Sequence, residues 1–134
     1  MSHALEILAT HRRGPQVEAN VLAACIDACL DCAQSCTACA DASLAEPELE
    51  QLVACITLCL SCSDVCTSTS QALTRQTVFV LKLATAVVQA CVEACRSCAD
   101  ECERHSHHHE HCRICAEVCR RCEQACNDVL AALT

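Results

Sequence analysis

The sequence predicts an all-α protein, an antiparallel four-helix bundle with a short additional N-terminal helix, and three observations carry that expectation. First, all eighteen cysteines fall into four ladders: Cys25, Cys29, Cys32, Cys36 and Cys39; Cys55, Cys59, Cys62 and Cys66; Cys91, Cys95, Cys98 and Cys102; and Cys112, Cys115, Cys119, Cys122 and Cys126. Intervals inside every ladder are three or four residues, the inward seam of an α-helix. Second, with Cys29, Cys59, Cys95 and Cys119 at the a position, the far side carries Asp27, Gln34, Asp41, Thr57, Asp64, Glu93, Asp100, Glu117 and Gln124, all polar. The flanking Ile26, Ala28, Ala33, Ile56, Leu58, Val65, Val92, Ala94, Ala116, Val118 and Ala125 are small or apolar, which suits helix packing around a thiol-lined centre. Third, Gly14 is the only glycine, Pro15 and Pro47 the only prolines and Phe79 the only aromatic residue, so little is present to punctuate or fill a β protein. Residues 1–134 are expected to make one domain with a sizeable core.

Residues 3–12 read as a short amphipathic helix on Leu5 and Leu8, ending at Gly14. Gly14-Pro15 reads as a helix end followed by proline at the first position of the next helix, over 15–42, and Glu46-Pro47 repeats the device for a helix over 47–71. A third helix is expected over 74–104. Its first half, with Val78, Phe79, Val80, Leu81, Leu83, Val87 and Val88, is apolar on more than one face and calls for cover from the N-terminal helix or a neighbouring subunit. The turn to the last helix lies within 104–111, and that helix ends near Ala132.

Short connections make neighbours antiparallel, so the seam has two distinguishable ends. Beyond the cysteines at one end come Leu22, Thr69, Leu73, Leu81, Val88, Val129 and Leu133, a plug made mainly of hydrocarbon. At the other come Ser43, Leu52, His105, His108 and His109, a mouth with metal-binding side chains in which His111 is a further candidate. A plain solvated turn is the alternative for this histidine cluster, and a turn must point some of its members outward.

The formal net charge is −8 with nine Lys+Arg, and no basic patch is interleaved with aromatics, which argues against nucleic acid. No Glu-x-x-His pair of the di-iron bundles and no glycine-rich phosphate loop is present, so the chain reads as a binding protein, not an enzyme. Residues 1–13 lack an apolar signal core and a cleavage site, and polar residues interrupt the longer apolar runs. Neither a secretory signal nor a membrane span is expected. The expected compartment is the cytosol, where thiols stay reduced.

Thiols at nearly every seam position need a reason, since each missing CH₂ forgoes roughly 0.8 kcal/mol of apolar burial. Disulfides within a ladder do not fit: residues three or four apart on a helix have Cβ atoms about 5–6 Å apart, and a disulfide wants about 3.5–4.5 Å. Cross-helix bridges remain as a redox or disulfide-reinforced alternative. Metal is the leading reading. Zinc at four thiolates per ion leaves about two negative charges per site in a low-dielectric interior, whereas monovalent, soft Cu(I) is content with fewer thiolates and neutralises the tube at about one ion per cysteine. A zinc or mixed-metal store remains the alternative. The C-x₂-C pairs lie inside helices, not in the loops expected of discrete zinc or iron–sulfur sites.

These helical C-x₃-C-x₂-C-x₃-C ladders, with a His-rich turn before the last, resemble the bacterial copper storage proteins over residues from about 15 to 132, and the absence of a leader resembles their cytosolic branch. The resemblance implies a four-helix bundle holding multiple Cu(I) ions on the eighteen cysteines. It implies also a short N-terminal helix and a homotetramer serving copper storage and detoxification, with a copper donor or acceptor protein as partner. Exported relatives tend to carry Met near the mouth; here Met1 is the only methionine, so the mouth relies on His105, His108, His109 and His111.

Overall fold

The computed structural model describes residues 2–134. Its order is α1 Ala4–Thr10, α2 Ala19–Leu44, a 3₁₀ turn Leu49–Leu52, α3 Val53–Thr74, α4 Leu81–Arg104 and α5 Glu110–Leu133. Helices α2 to α5 form a bundle in which each packs on its two neighbours around a ring, and α1 lies against α2.

The polar and apolar stripes fall where the register puts them. All eighteen cysteines are buried, and none of the eleven flanking residues is exposed. The far-side residues are exposed with one exception. Asp27 is half-covered because the Ser2 hydroxyl and backbone N–H donate to its carboxylate, the latter at 3.2 Å. That contact fastens the start of the chain to α2, while Leu8 of α1 is buried against the core.

Several boundaries differ from the sequence expectation. Helix α2 begins at Ala19, not at Pro15, because the Glu18 carboxylate accepts from the backbone N–H groups of Asn20 and Val21, both at 3.0 Å. Those bonds hold the Glu18 carboxyl below its ordinary pKa and cap a helix whose first N–H groups would otherwise be orphaned. Gly14 takes a φ of 70° in the link, the left-handed region that glycine enters without a Cβ penalty. Pro47 likewise precedes its helix: a 3₁₀ turn intervenes before α3. The largest shift is at α4, which starts at Leu81 because residues 75–80 are an extended link. Gln76 is buried there; its side-chain amide donates to the Leu73 carbonyl at 2.8 Å and its carbonyl accepts from the Gln16 N–H at 2.9 Å. Arg13 donates to the Thr77 carbonyl at 2.9 Å, so the two links at this end are tied together.

The plug is largely as expected. Leu22, Thr69, Val88 and Val129 have no exposed surface and Leu73 has 3%. Leu81, placed in the plug by register, is instead half-exposed at the start of α4. Val78, Val80 and Leu83 are also exposed, and α1 does not cover them.

Helix α2 and the segment Leu49–Thr74 are long and apolar enough to cross a membrane by mean hydropathy, 1.3 and 1.6. This corrects the expectation that polar residues rule out every candidate. The apolarity arises from cysteines that point inward, while Asp27, Asp31, Gln34, Asp41 and Asp64 line the outer faces.

Candidate metal centre

A seam of cysteines on each of four helices becomes one column of sulfur. Neighbouring Sγ atoms stand 3.6 to 4.0 Å apart. Between α2 and α5 the facing pairs are Cys25 with Cys126, Cys32 with Cys119 and Cys39 with Cys112, numbers rising on one helix as they fall on the other, as antiparallel neighbours require. Between α3 and α4 the pairs are Cys66 with Cys91, Cys62 with Cys95 and Cys55 with Cys102, in the same sense. The diagonal helices α2 and α4 run parallel, with Cys29 facing Cys91 and Cys36 facing Cys98.

At least five groups of four buried thiols have their sulfurs within 4.8 Å of one another. They overlap along the column: Cys29, Cys91, Cys122 and Cys126, then Cys32, Cys66, Cys95 and Cys122, then Cys32, Cys36, Cys62 and Cys119, then Cys36, Cys98, Cys115 and Cys119, then Cys39, Cys59, Cys102 and Cys115. Discrete tetrahedral centres would not share ligands in this way. A continuous lattice of bridging thiolates does, and it suits ions that take few ligands each.

The thiols titrate as a coupled column. Hydrogen bonds with Cys126 and Cys29 pull Cys25 down to about 5, and Cys98 is pulled to about 6, first by Cys102. Cys112 is pushed up to about 12, chiefly by its hydrogen bond with Cys39 and then by burial. Cys36 and Cys119, at mid-column, are also pushed up, first by their hydrogen bonds with Cys115. Burial opposes the thiolate at each of these sites, so the metal-free column retains protons that a soft cation must displace.

The histidines are divided by the structure. His105, His108 and His109 line a pocket of about 460 Å³ with Glu48, Gln51 and Leu52, and no cysteine lines it. His105 is paired with Glu101 at 2.9 Å, and His108 is exposed. His109 is buried between two carboxylates, its Nδ1 3.1 Å from Glu46 and its Nε2 2.9 Å from Glu48. His111 is the one that reaches sulfur, with Nδ1 3.4 Å from Cys39 and 3.6 Å from Cys112. It lines a second crevice of about 330 Å³ between α2 and α5 that includes Cys39 and Cys115. Those two cysteines, at 2% and 1%, alone among the eighteen keep any exposed surface. Ser43, the seam position after Cys39, is wholly buried and its hydroxyl has no hydrogen-bond partner among the described residues.

Sequence reasoning missed the carboxylates Glu46, Glu48 and Glu101 that hold these histidines. Glu101 lies four residues before His105, a helical spacing that was readable. Glu46 and Glu48 lie more than sixty residues from His109, and no local pattern announces that pairing. His3 and His11, outside the site, bond to Glu6 and Thr77.

The family described as Csp, copper storage protein, matches residues 18–131. A structure of the copper storage protein Ccsp from Streptomyces lividans loaded with 10 copper equivalents is 48% identical, with a TM-score of 0.94 over 96% of this chain and 98% of that one. A second structure, of a cytosolic copper storage protein from Streptomyces lividans loaded with five coppers, is 53% identical, with a TM-score of 0.83 over 84% of this chain and 93% of that one. Comparison with curated proteins returns no match.

Proposed function

The chain belongs to the copper storage protein family, and from that premise we propose that it stores Cu(I) on its eighteen inward cysteines, as a single domain over residues 1–134. The observation that carries this reading is the sharing of sulfurs between successive four-thiol groups along the column. An ion in one group has ligands in common with the next, so positive charge can be spread along the tube in step with the thiolates it neutralises. Zinc would leave the same column strongly anionic. The role is storage and detoxification without catalysis.

The protein works in the cytosol, as the Streptomyces lividans relative is described, where reducing conditions keep both the thiols and Cu(I) in the required state. Its net charge of −8 disfavours nucleic acid, and the charged residues spread over the outer sides of α2 to α5 disfavour a bilayer. Copper arrives from a donor protein and leaves to an acceptor. His111 receives the ion in the crevice between α2 and α5 and passes it to Cys39 and Cys112, with His105, His108 and His109 shaping the adjoining pocket. Thiolate is the softer ligand, so the transfer inward is downhill.

The working unit is a homotetramer. Leu30 and Leu60 are 43% and 47% exposed on the outer sides of α2 and α3, and Val78, Val80, Leu81 and Leu83 add an apolar strip at the start of α4. By contrast the outer faces of α4 and α5 are laced with ion pairs of Arg96, Arg113 and Arg120, so the apolar side is the one to bury between subunits.

Element analysis of protein isolated from cells grown with added copper and zinc tests the function. Many copper atoms per chain with little zinc is expected, and a zinc-dominated protein would overturn the reading.

A further inference from the structure

Each end of the sulfur column is closed by a pair of thiols facing across α2 and α5: Cys25 with Cys126 at 3.7 Å beside the plug, and Cys39 with Cys112 at 3.9 Å beside the mouth. Within each pair the partner is the single sulfur in contact among the described residues, whereas a mid-column thiol such as Cys36 touches several. The two pairs differ in access. Cys25 and Cys126 have no exposed surface, while Cys39 keeps 2% and lines the crevice of about 330 Å³ together with Gln34, Ser35 and His111. We propose that Cys39 is a peroxide-reactive thiol resolved by Cys112, so that a disulfide between the two shuts the entrance to the metal-free column while oxidant is present.

Hydrogen peroxide is the oxidant, and it is small enough to enter the crevice. The Cys39 sulfur attacks one peroxide oxygen, the O–O bond breaks, and the thiol proton leaves with the other oxygen as water, giving a sulfenic acid. The Cys112 sulfur then attacks the sulfenic sulfur, a second water leaves and the S–S bond forms. Two thiols have been oxidised and one peroxide reduced to two waters. Because the pair lies on different helices, the spacing that excludes disulfides along a ladder does not apply, and rotation of the two side chains closes 3.9 Å to a bond of about 2.05 Å.

Access limits the reaction to this layer. Cys115, the other thiol with any exposed surface, keeps 1% and touches Cys36 and Cys59 inside the column, and the remaining cysteines are sealed behind it. The consequence for loading presupposes that the column stores Cu(I); the thiol chemistry itself stands on access and contact alone. His111 Nδ1 is 3.4 Å from Cys39 and 3.6 Å from Cys112, so tying these two sulfurs together removes the receivers to which the ring passes copper. Cytosolic dithiols return two electrons by thiol–disulfide exchange and reopen the entrance.

The test treats reduced, metal-free protein with hydrogen peroxide, counts the thiols left and maps the bonds by mass spectrometry of peptides. A fast phase that consumes about two thiols per chain and yields the bond between Cys39 and Cys112 is expected, with Cys25 and Cys126 still reduced as the internal comparison. Cys112→Ser should leave a sulfenic acid on Cys39 that dimedone traps, and Cys39→Ser should lose the fast phase. In stopped-flow experiments the oxidised protein should take up Cu(I) at least about tenfold more slowly than the reduced protein, and a dithiol should restore the rate. Oxidation scattered over the column, a first bond elsewhere, or loading as fast after the bond has formed would overturn the proposal. Reduced protein that itself takes up only a few ions would overturn storage instead, and the mapped bond would still decide the thiol chemistry.

Discussion

Cys36 shows what one side chain does in this column. Its sulfur has four others at 3.7 to 3.9 Å, those of Cys32, Cys98, Cys115 and Cys119, drawn from α2, α4 and α5. Replacing it with Ser keeps the volume but removes a soft ligand common to two groups. Copper capacity of Cys36→Ser should therefore fall by more than one ion, while stability of the metal-free protein changes by about 1–3 kcal/mol for the poorly partnered hydroxyl. Chelator-competition titration and denaturant melts read the two quantities; a loss of one ion or fewer would mean the groups act separately. His111 is a case of rate, not capacity. His111→Ala should slow both Cu(I) loading and chelator removal in stopped-flow experiments while costing at most the few ions at the mouth, and unchanged rates would leave the ring no part in transfer. Protons give a third test. Cys112, raised to about 12 first by its hydrogen bond with Cys39 and then by burial, stays protonated at neutral pH. Loading at pH 7 must then displace protons from the raised sites, and since protons compete with the metal, apparent affinity falls as pH falls. Proton release recorded in weak buffer, and titrations from pH 8 to 6, check this; loading without protons would contradict it.

At the scale of the helix, the sequence pattern was readable wherever it was periodic. The seam at Cys29, Cys59, Cys95 and Cys119, the polar far side and the small flanks all follow from a repeat that a helix alone can satisfy, and burial bears them out. What was illegible was decided by contacts across the chain. Residues 75–80 carry no glycine or proline, yet they are extended because buried Gln76 bonds Gln16 some sixty residues away. Pro15 looked like a first helical residue, and the cap at Glu18 displaced the start by four positions. The mouth failed to be legible for the same reason, since Glu46 and Glu48 reach His109 only once α2 and α5 are packed. The plug of Leu22, Val88 and Val129 and the apolar flanks pack as hydrocarbon that holds no metal ligand, so the metal-free protein should already be helical by far-UV circular dichroism. Leu22→Ala should cost that metal-free state about 2–5 kcal/mol, seen as a lowered denaturation midpoint; a metal-free protein that is mostly coil would show that copper folds the bundle.

For the molecule as a whole, a polar shell interrupted by an apolar patch on α2, α3 and the start of α4 surrounds a sulfur interior, and small and aliphatic side chains lie between the two. That arrangement excludes water from the column while leaving Cys39 and Cys115 just within reach of the crevice beside His111. The association proposed through the outer sides of α2 and α3 would bury Leu30 and Leu60, neither of which lines this crevice between α2 and α5. Light scattering should give the mass of four chains, and Leu30→Glu with Leu60→Glu should reduce it while sparing capacity. The storage claim itself rests on the number of ions one chain can hold. Anaerobic titration of the reduced protein with Cu(I) beside a competing chelator counts them directly: saturation at about one ion per cysteine is the predicted result, and a plateau at about one to three ions per chain would contradict storage and leave a carrier or a sensor.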